Sequence, residues 1–145
     1  MKVLIINGPN LNMLGKRDPS VYSSKTYDEL LEMIADEAVD LSMEVEVFQS
    51  NHEGAIIDRI QDAMNDDTQG IIINPGAFTH YSYAIHDALE IVFMPKIEVH
   101  ISNINEREEF RRISVTEPAC DEQIVGEGFE GYLHAMRRVK EMISE

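Results

Sequence analysis

Two runs of consecutive apolar residues constrain the fold of this chain more than any other feature. Residues 3–6 read Val-Leu-Ile-Ile and residues 71–73 read Ile-Ile-Ile, and each run is followed by a turn rich in Asn, Gly and Pro. Strands whose side chains are all apolar are typical of parallel sheets, because helices cover both faces of such sheets. The sequence therefore predicts a parallel sheet with helices on either side.

Strands and helices alternate along the whole sequence. The apolar patterns predict strands at residues 2–6, 43–48, 70–73, 96–102 and 123–125, and helices at residues 26–41, 50–64, 81–92, 106–111 and 129–143. The half-polar second strand is expected at a sheet edge. This order predicts an α/β, flavodoxin-like doubly wound sandwich with a five-stranded parallel sheet. Residues 1–145 are expected to form a single catalytic domain.

Several local patterns predict where the helices begin. Capping boxes at residues 26–29 and 50–53 predict the first two helix starts, with Thr26 and Ser50 as N-caps. Tyr81 and Ala84 should face inward from the third helix, and Asn105 should cap the short fourth one.

Composition excludes several partners. Twelve basic residues against 27 acidic ones give a net charge of −15, which disfavours binding to nucleic acid or to acidic membranes. An anion site must then be built locally, from a few cationic side chains and backbone amides. No apolar run is long enough to span a membrane, so the expected location is the cytoplasm. A single cysteine, Cys120, rules out an internal disulfide and is expected to be a packed or incidental thiol.

A long polar loop separates the first strand from the first helix. Residues 7–22 contain three Asn, two Gly and two Pro, which do not build a core element. Interleaved apolar residues argue against disorder. We therefore interpret the segment as an active-site loop that carries Asn10, Arg17 and Tyr22, with residues 17–22 acting as a lid.

The fourth predicted strand carries an unusual polar face. Alternation places Ile97, Val99 and Ile101 on one face and polar residues on the other: Glu98, His100 and Ser102. Buried polar groups are costly unless they are bonded or line a wet cavity. Ligands of open parallel sheets bind beyond the carboxyl ends of the strands, where these residues cluster.

Each of these residue types suggests a chemical role. His100 could act as a general acid or base, with Glu98 orienting it and favouring its charged form. Tyr22 could act as a base only if a neighbour such as Arg17 lowered its pKa from about 10. Asn10, and Asn74 at the end of the third strand, could donate to an oxyanion or a carboxylate.

Other cationic residues remain ambiguous. Arg111 could hold a carboxylate or vicinal hydroxyls, or could simply be exposed. His80 could hold a substrate hydroxyl or cap the third helix. His52 and His86 are interpreted as structural or incidental, and His134 should face solvent.

Known motifs exclude further classes. The sequence contains no P-loop and no Gly-x-Gly-x-x-Gly after the first strand, and it has no His/Cys metal cluster. No acidic pair or hydroxyl-rich phosphate loop follows the first strand, which argues against a receiver domain and a flavin-binding module.

Once these residues are placed, the sequence closely resembles the type II 3-dehydroquinate dehydratases. The matching stretches recur in the same order along the chain. They are residues 7–15 with Arg17 and Tyr22, 49–54, 74–77 with 79–80, 84–88, 98–104, 107–108 and 110–111. Weaker matches follow beyond residue 125. Departures are Ser23 after Tyr22, Arg112-Ile113 before Ser114, and a strongly acidic segment at residues 115–127.

The resemblance implies an anti elimination of water from 3-dehydroquinate to 3-dehydroshikimate, without a metal or cofactor. It implies that Tyr22, ionised beside Arg17, removes a proton, that Asn10 steadies the enolate, and that His100, oriented by Glu98, protonates the leaving hydroxyl.

The resemblance also implies the substrate contacts and the assembly. Asn74 and the backbone of Ile101 and Ser102 would hold the carboxylate, and His80 and Arg111 the ring hydroxyls. Asp87 would reach an adjacent subunit in a dodecamer of trimers.

Two alternatives remain. The chain could be a flavodoxin-like binding module that has lost its chemistry, although Arg17, Tyr22 and His100 are all present. It could also be a cofactor-free isomerase or hydrolase that acts on a small carboxylate.

Overall fold

A computed structural model describes residues 1–16 and 25–145. In these two stretches the chain forms a five-stranded, all-parallel sheet in the order β2-β1-β3-β4-β5. The strands are β1 (Lys2–Asn7), β2 (Glu44–Gln49), β3 (Gly70–Asn74), β4 (Lys96–His100) and β5 (Glu122–Val125). The α-helices are α1 (Tyr27–Asp40), α2 (Glu53–Asp62), α3 (Tyr83–Ile91) and α4 (Glu130–Ser144). The predicted flavodoxin-like sheet and its edge strand β2 are confirmed.

Helices cover both faces of the sheet, as the apolar strands predicted. Helices α1 and α4 pack on one face around Ile5, Ile72 and Val99. Helices α2 and α3 pack on the other, around Ile6 and Ile73. Of the helices in the described part of the chain, none is long and apolar enough to cross a membrane.

The strand order determines where a ligand can bind. The chain leaves β1 toward β2 on one side and later returns to β3 on the other side of β1. The connections after β1 and β3 therefore diverge and leave a crevice at the carboxyl ends of these strands. The long polar loop and the Asn-Pro-Gly turn both begin at this crevice.

The third helix begins later than the sequence predicted. Residues Gly76–His80 form a 3-10 turn, and the Oγ of Ser82 then accepts the backbone N–H of Ile85 at 3.0 Å as the N-cap. Tyr81 therefore precedes the helix, and both Tyr81 and Ala84 are exposed rather than inward. A hydroxyl cap inside the apolar pattern sets the helix start, and periodicity alone does not reveal it.

Two other helix predictions were wrong in part. Thr26 caps α1 as predicted, whereas the Oγ of Ser50 accepts from the backbone of His52 at 2.9 Å in a local turn, and α2 begins at Glu53. In place of the helix predicted at residues 106–111, the chain makes two 3-10 turns, and Asn103 rather than Asn105 caps the first.

The turns that follow β1 and β3 are in close contact through their backbones. A Cβ built on Gly8 would lie 2.2 Å from the carbonyl oxygen of Pro75, and Gly76 has a left-handed φ of 61°. The N–H of Gly8 also donates to the carbonyl of Asn74 at 2.8 Å. Only glycine permits this approach at position 8.

We expect Gly8→Ala to destabilise the fold by roughly 1–3 kcal/mol, because the new methyl group must push two backbone segments apart. Gly54→Ala is the matched control: it lies in α2, and nothing lies within 4 Å of the added Cβ. This control should stabilise the fold by about 0.5–1 kcal/mol, since alanine favours helices. Urea denaturation of both variants measures the change in the free energy of unfolding, and equal changes would contradict the close backbone contact at Gly8.

Candidate active site

Strand β4 buries a carboxylate and an imidazole side by side. Alternation places Ile97 and Val99 in the core beneath α1 and α4, so Glu98 and His100 point to the opposite face. Glu98 is fully buried and His100 is only 5% exposed. The Nε2 of His100 lies 2.9 Å from the Oε2 of Glu98. Glu98 and His100 of the predicted polar face therefore form one hydrogen-bonded pair, whereas β4 ends at His100 and the predicted Ser102 follows the strand.

Three neutral donors hold the Glu98 carboxylate in addition to His100. Ser114 Oγ donates at 2.9 Å and Gln123 Nε2 at 2.7 Å, and Thr116 donates to the other carboxylate oxygen. Burial opposes ionisation of Glu98, but the hydrogen bonds from His100, Thr116 and Gln123 outweigh it and lower the pKa of Glu98. Glu98 is thus a carboxylate at neutral pH.

No residue pattern in the sequence indicated these three donors as partners of Glu98. Gln123 lies opposite Glu98 in the β4–β5 register, so the strand alignment could have indicated it. Ser114 and Thr116 lie in an irregular segment without periodicity, which gave no signal.

The ionised carboxylate fixes the tautomer of His100. Because a carboxylate only accepts, Nε2 of His100 must carry a hydrogen. The other ring nitrogen, Nδ1, makes no hydrogen bond to any residue in the described stretches. A protonated His100 would therefore present an Nδ1–H donor, held in place by Glu98.

A pocket of about 130 Å³ lies at the carboxyl ends of β1, β3 and β4. The turns after these three strands line it, as the strand order predicts. Its lining includes seven of the site residues predicted from the sequence: Asn10, Asn74, His80, His100, Ile101, Ser102 and Arg111. Arg107 also lines it and was not predicted as a site residue.

The end of β4 offers donors for an anion. In the described chain, no backbone hydrogen bond uses the N–H of Ile101 or Ser102. Arg107 donates to Ser102 Oγ at 3.3 Å, and Arg111 pairs with Glu108 at 2.8 Å. Two guanidinium groups and two backbone amides thus create a local positive region in a chain of net charge −15.

His80 presents an acceptor to the pocket. Its Nδ1 lies 2.8 Å from the carbonyl oxygen of Ile113, and a carbonyl only accepts, so Nδ1 carries the hydrogen. Burial lowers the pKa of His80, helped by the positive charges of His100, Arg111 and Arg107. The neutral ring therefore has its Nε2 lone pair available for a hydroxyl.

The two asparagines meet the pocket in different ways. Asn10 adopts a left-handed backbone with φ 68°, and its N–H donates to Asn51 at 3.0 Å. Asn74 points to the sheet face opposite Glu98, because its neighbour Ile73 is in register with Glu98. Its amide bonds to Tyr132 and to Gly76, and neither contact was predicted from the sequence.

Three predicted site residues remain to be accounted for. Arg17 and Tyr22 fall outside the described residues. Asp87 is exposed on α3 and does not line the pocket. Their predicted roles stay predictions.

Within the described stretches, one group of residues could share a cation. His86, Asp87 and Glu90 converge on the surface of α3, and none of the three lines the pocket. Both ring nitrogens of His86 are engaged, by the carbonyl of Val115 at 2.7 Å and by Glu90 at 3.1 Å. The structural role predicted for His86 agrees with these contacts.

Known proteins are similar to this chain in sequence and in fold. The family model described as Dehydroquinase class II matches residues 1–140. A 3-dehydroquinate dehydratase from Thermotoga neapolitana is 63% identical over 145 residues, covering 100% of this chain and 98% of the relative. The crystal structure of a type II dehydroquinase from Butyrivibrio crossotus superposes with a TM-score of 0.95 at 59% identity and 97% coverage of both chains. One from Propionibacterium acnes has a TM-score of 0.91 at 40% identity, covering 99% and 97%.

The doubly wound sheet and the acid–base pair at its carboxyl edge are those of an α/β enzyme. The chain belongs to the class II dehydroquinase family.

Proposed function

We propose that this enzyme eliminates water from 3-dehydroquinate to give 3-dehydroshikimate, a step of the shikimate pathway to aromatic amino acids. The observation that carries the proposal is the buried Glu98–His100 pair at the pocket, in a chain whose relatives are named 3-dehydroquinate dehydratase. The reaction needs a base beside the ketone and an acid at the leaving hydroxyl, and this pair can supply the acid.

The substrate carboxylate would bind at the end of β4. The N–H groups of Ile101 and Ser102, which make no backbone hydrogen bond within the described residues, and the amide of Asn74 supply neutral donors there. Neutral donors beside arginine side chains suit a carboxylate, which only accepts hydrogen bonds. Binding of the carboxylate would fix the ring above His100.

The first chemical step is removal of the proton on C2, next to the C3 ketone. Tyr22 as tyrosinate takes this proton, and the C–H electron pair forms the enolate. Arg17 keeps Tyr22 ionised. Asn10, which lines the pocket, steadies the enolate oxygen through a water. The roles of Tyr22 and Arg17 follow from the family resemblance.

The second step is loss of the C1 hydroxyl. The enolate electrons form the C1–C2 double bond, the C1–O bond breaks, and the Nδ1–H of protonated His100 gives its proton to the leaving oxygen as water departs. Glu98 supports this step because its negative charge stabilises the imidazolium and its hydrogen bond fixes the ring.

The remaining contacts position the ring. The Nε2 of neutral His80 accepts from a ring hydroxyl and Arg111 donates to another. Asp87 would complete a neighbouring subunit's site in a dodecamer of trimers, in the cytoplasm. Its exposed position on α3 is compatible with such a contact.

Proton NMR of 3-dehydroquinate incubated with the purified enzyme tests this function. The proposal predicts a new vinyl proton as water is lost from the ring. New signals that lack a vinyl proton would favour the isomerase or hydrolase alternative. Line broadening of the substrate without any product would favour the binding module.

A further inference from the structure

A buried tyrosine connects the two turns of the active site. Tyr132 in α4 is fully buried, and its hydroxyl donates to Asn7 Oδ1 at 2.6 Å and accepts from Asn74 Nδ2 at 3.0 Å. Asn7 ends β1 and Asn74 ends β3, so one hydroxyl joins the residues from which both turns begin. Asn7 Nδ2 in turn donates to the hydroxyl of Tyr27, at the start of α1, at 3.2 Å.

One backbone group fixes the direction of every bond in this chain of contacts. The N–H of Gly76 lies 3.1 Å from Asn74 Oδ1 and can only donate. Asn74 must therefore turn its NH2 group toward Tyr132. The Tyr132 hydroxyl accepts this hydrogen bond and donates its own hydrogen bond to Asn7. From Gly76 to Tyr27, each hydrogen bond of this chain of contacts therefore joins one donor to one acceptor.

This arrangement leaves one donor of Asn74 available. An amide NH2 group has two hydrogens, and Tyr132 takes one of them. The second has no partner among the described residues, although Asn74 is only 3% exposed and lines the pocket. This buried N–H lines the same pocket as Ile101 and Ser102, whose backbone N–H groups also lack a backbone partner among the described residues, and such donors need an acceptor such as a carboxylate oxygen.

We propose that Tyr132 is a positioning residue that, together with the N–H of Gly76, holds the amide of Asn74 with its NH2 group toward the carboxylate of the substrate. A flipped amide would present an oxygen there and repel the carboxylate. Burial raises the pKa of Tyr132, so the hydroxyl keeps the hydrogen it needs to donate and accept at once. This inference rests on the proposed function, which supplies the carboxylate.

Binding of 3-dehydroshikimate and of its methyl ester tests the role of Tyr132. The two ligands differ in the charge that Asn74 is proposed to recognise. In Tyr132→Phe the acid should bind roughly tenfold more weakly, about the effect of one hydrogen bond to a charged group, while the ester changes little. Tyr27→Phe is the matched control, because it removes a hydroxyl from the far end of the same chain of contacts and should keep the preference for the acid.

Each outcome of these binding measurements either supports or overturns the proposed role of Tyr132. Equal weakening of acid and ester in Tyr132→Phe, or no weakening, would overturn the positioning role. If Tyr132→Phe does not fold by thermal melting, Asn74→Ala serves instead: loss of the acid preference supports the carboxylate contact that Tyr132 is proposed to position, and its retention overturns the proposal. A wild-type protein that turns over 3-dehydroquinate but binds acid and ester equally refutes this inference alone. Failure of the wild type to bind either ligand or to turn over substrate refutes the proposed function and this inference together.

Discussion

Replacing His100 by alanine should lower kcat by about two to four orders of magnitude and leave KM for 3-dehydroquinate nearly unchanged. That range is the usual contribution of a general acid, and no other described group in the pocket is paired with a buried carboxylate. Glu98 keeps its bonds to Ser114, Thr116 and Gln123 in this variant, so the fold should persist. Steady-state kinetics and thermal melting measure both quantities.

His134→Ala is the matched control for that experiment. His134 is also paired with a glutamate, Glu127 at 2.9 Å, but its side chain is 52% exposed on α4, as the sequence predicted. This variant should keep wild-type kcat and KM. Nearly full activity in His100→Ala would place the acid elsewhere, and an equal loss in both variants would indicate a general effect on the protein.

The second large effect is expected for Glu98→Gln, which should lower kcat by about one to three orders of magnitude. The substitution keeps the size of the side chain but removes the charge that stabilises the imidazolium and fixes Nε2 as the donor. It also places an amide NH2 group among Ser114, Thr116 and Gln123, which already donate. We therefore expect a loss of roughly 1–3 kcal/mol in the free energy of unfolding at pH 7.

The effect of Glu98→Gln on the free energy of unfolding should depend on pH. The pKa of Glu98 in the folded protein lies below the ordinary value of 4.5, so above that value the carboxylate stabilises the folded state. The contribution is lost as pH falls through the lowered pKa, because folded Glu98 then takes up a proton as well. Wild type should thus lose more stability than Glu98→Gln between pH 7 and strongly acid pH.

Urea denaturation of wild type and Glu98→Gln at several pH values measures this pH dependence. Glu127→Gln, at an exposed glutamate paired with His134, is the control and should follow the wild-type curve. A constant difference between wild type and Glu98→Gln at every pH would contradict an ionised Glu98 in the folded protein.

The sequence predicted the scaffold well because burial determines the strands. Uninterrupted apolar runs indicated β1 and β3, and period-two alternation alone placed Glu98 and His100 on the same face of β4. Parallel strands bring their carboxyl ends to one edge, so the parallel sheet predicted from the sequence also indicated the location of the pocket. These features depend on local patterns that a linear sequence displays.

Long-range and irregular contacts could not be predicted in the same way. Asn74 meets Tyr132 across 58 positions in the sequence, and α4 showed only its apolar stripe. Thr116 supports Glu98 from a segment without periodicity. The start of α3 was misplaced because Ser82 interrupts an apolar pattern that extends beyond the helix. Such contacts depend on how elements pack, which periodicity does not encode.

The most direct test of the central claim is the ultraviolet absorbance of the conjugated enone after EDTA-treated protein is mixed with 3-dehydroquinate. The claim is that side chains of this protein alone eliminate water from that substrate. It predicts an absorbance rise with wild type that is lost in Tyr22→Phe, although this variant still binds substrate. No rise from folded, assembled wild type would contradict the claim, and a rise that survives Tyr22→Phe would assign the base to another residue.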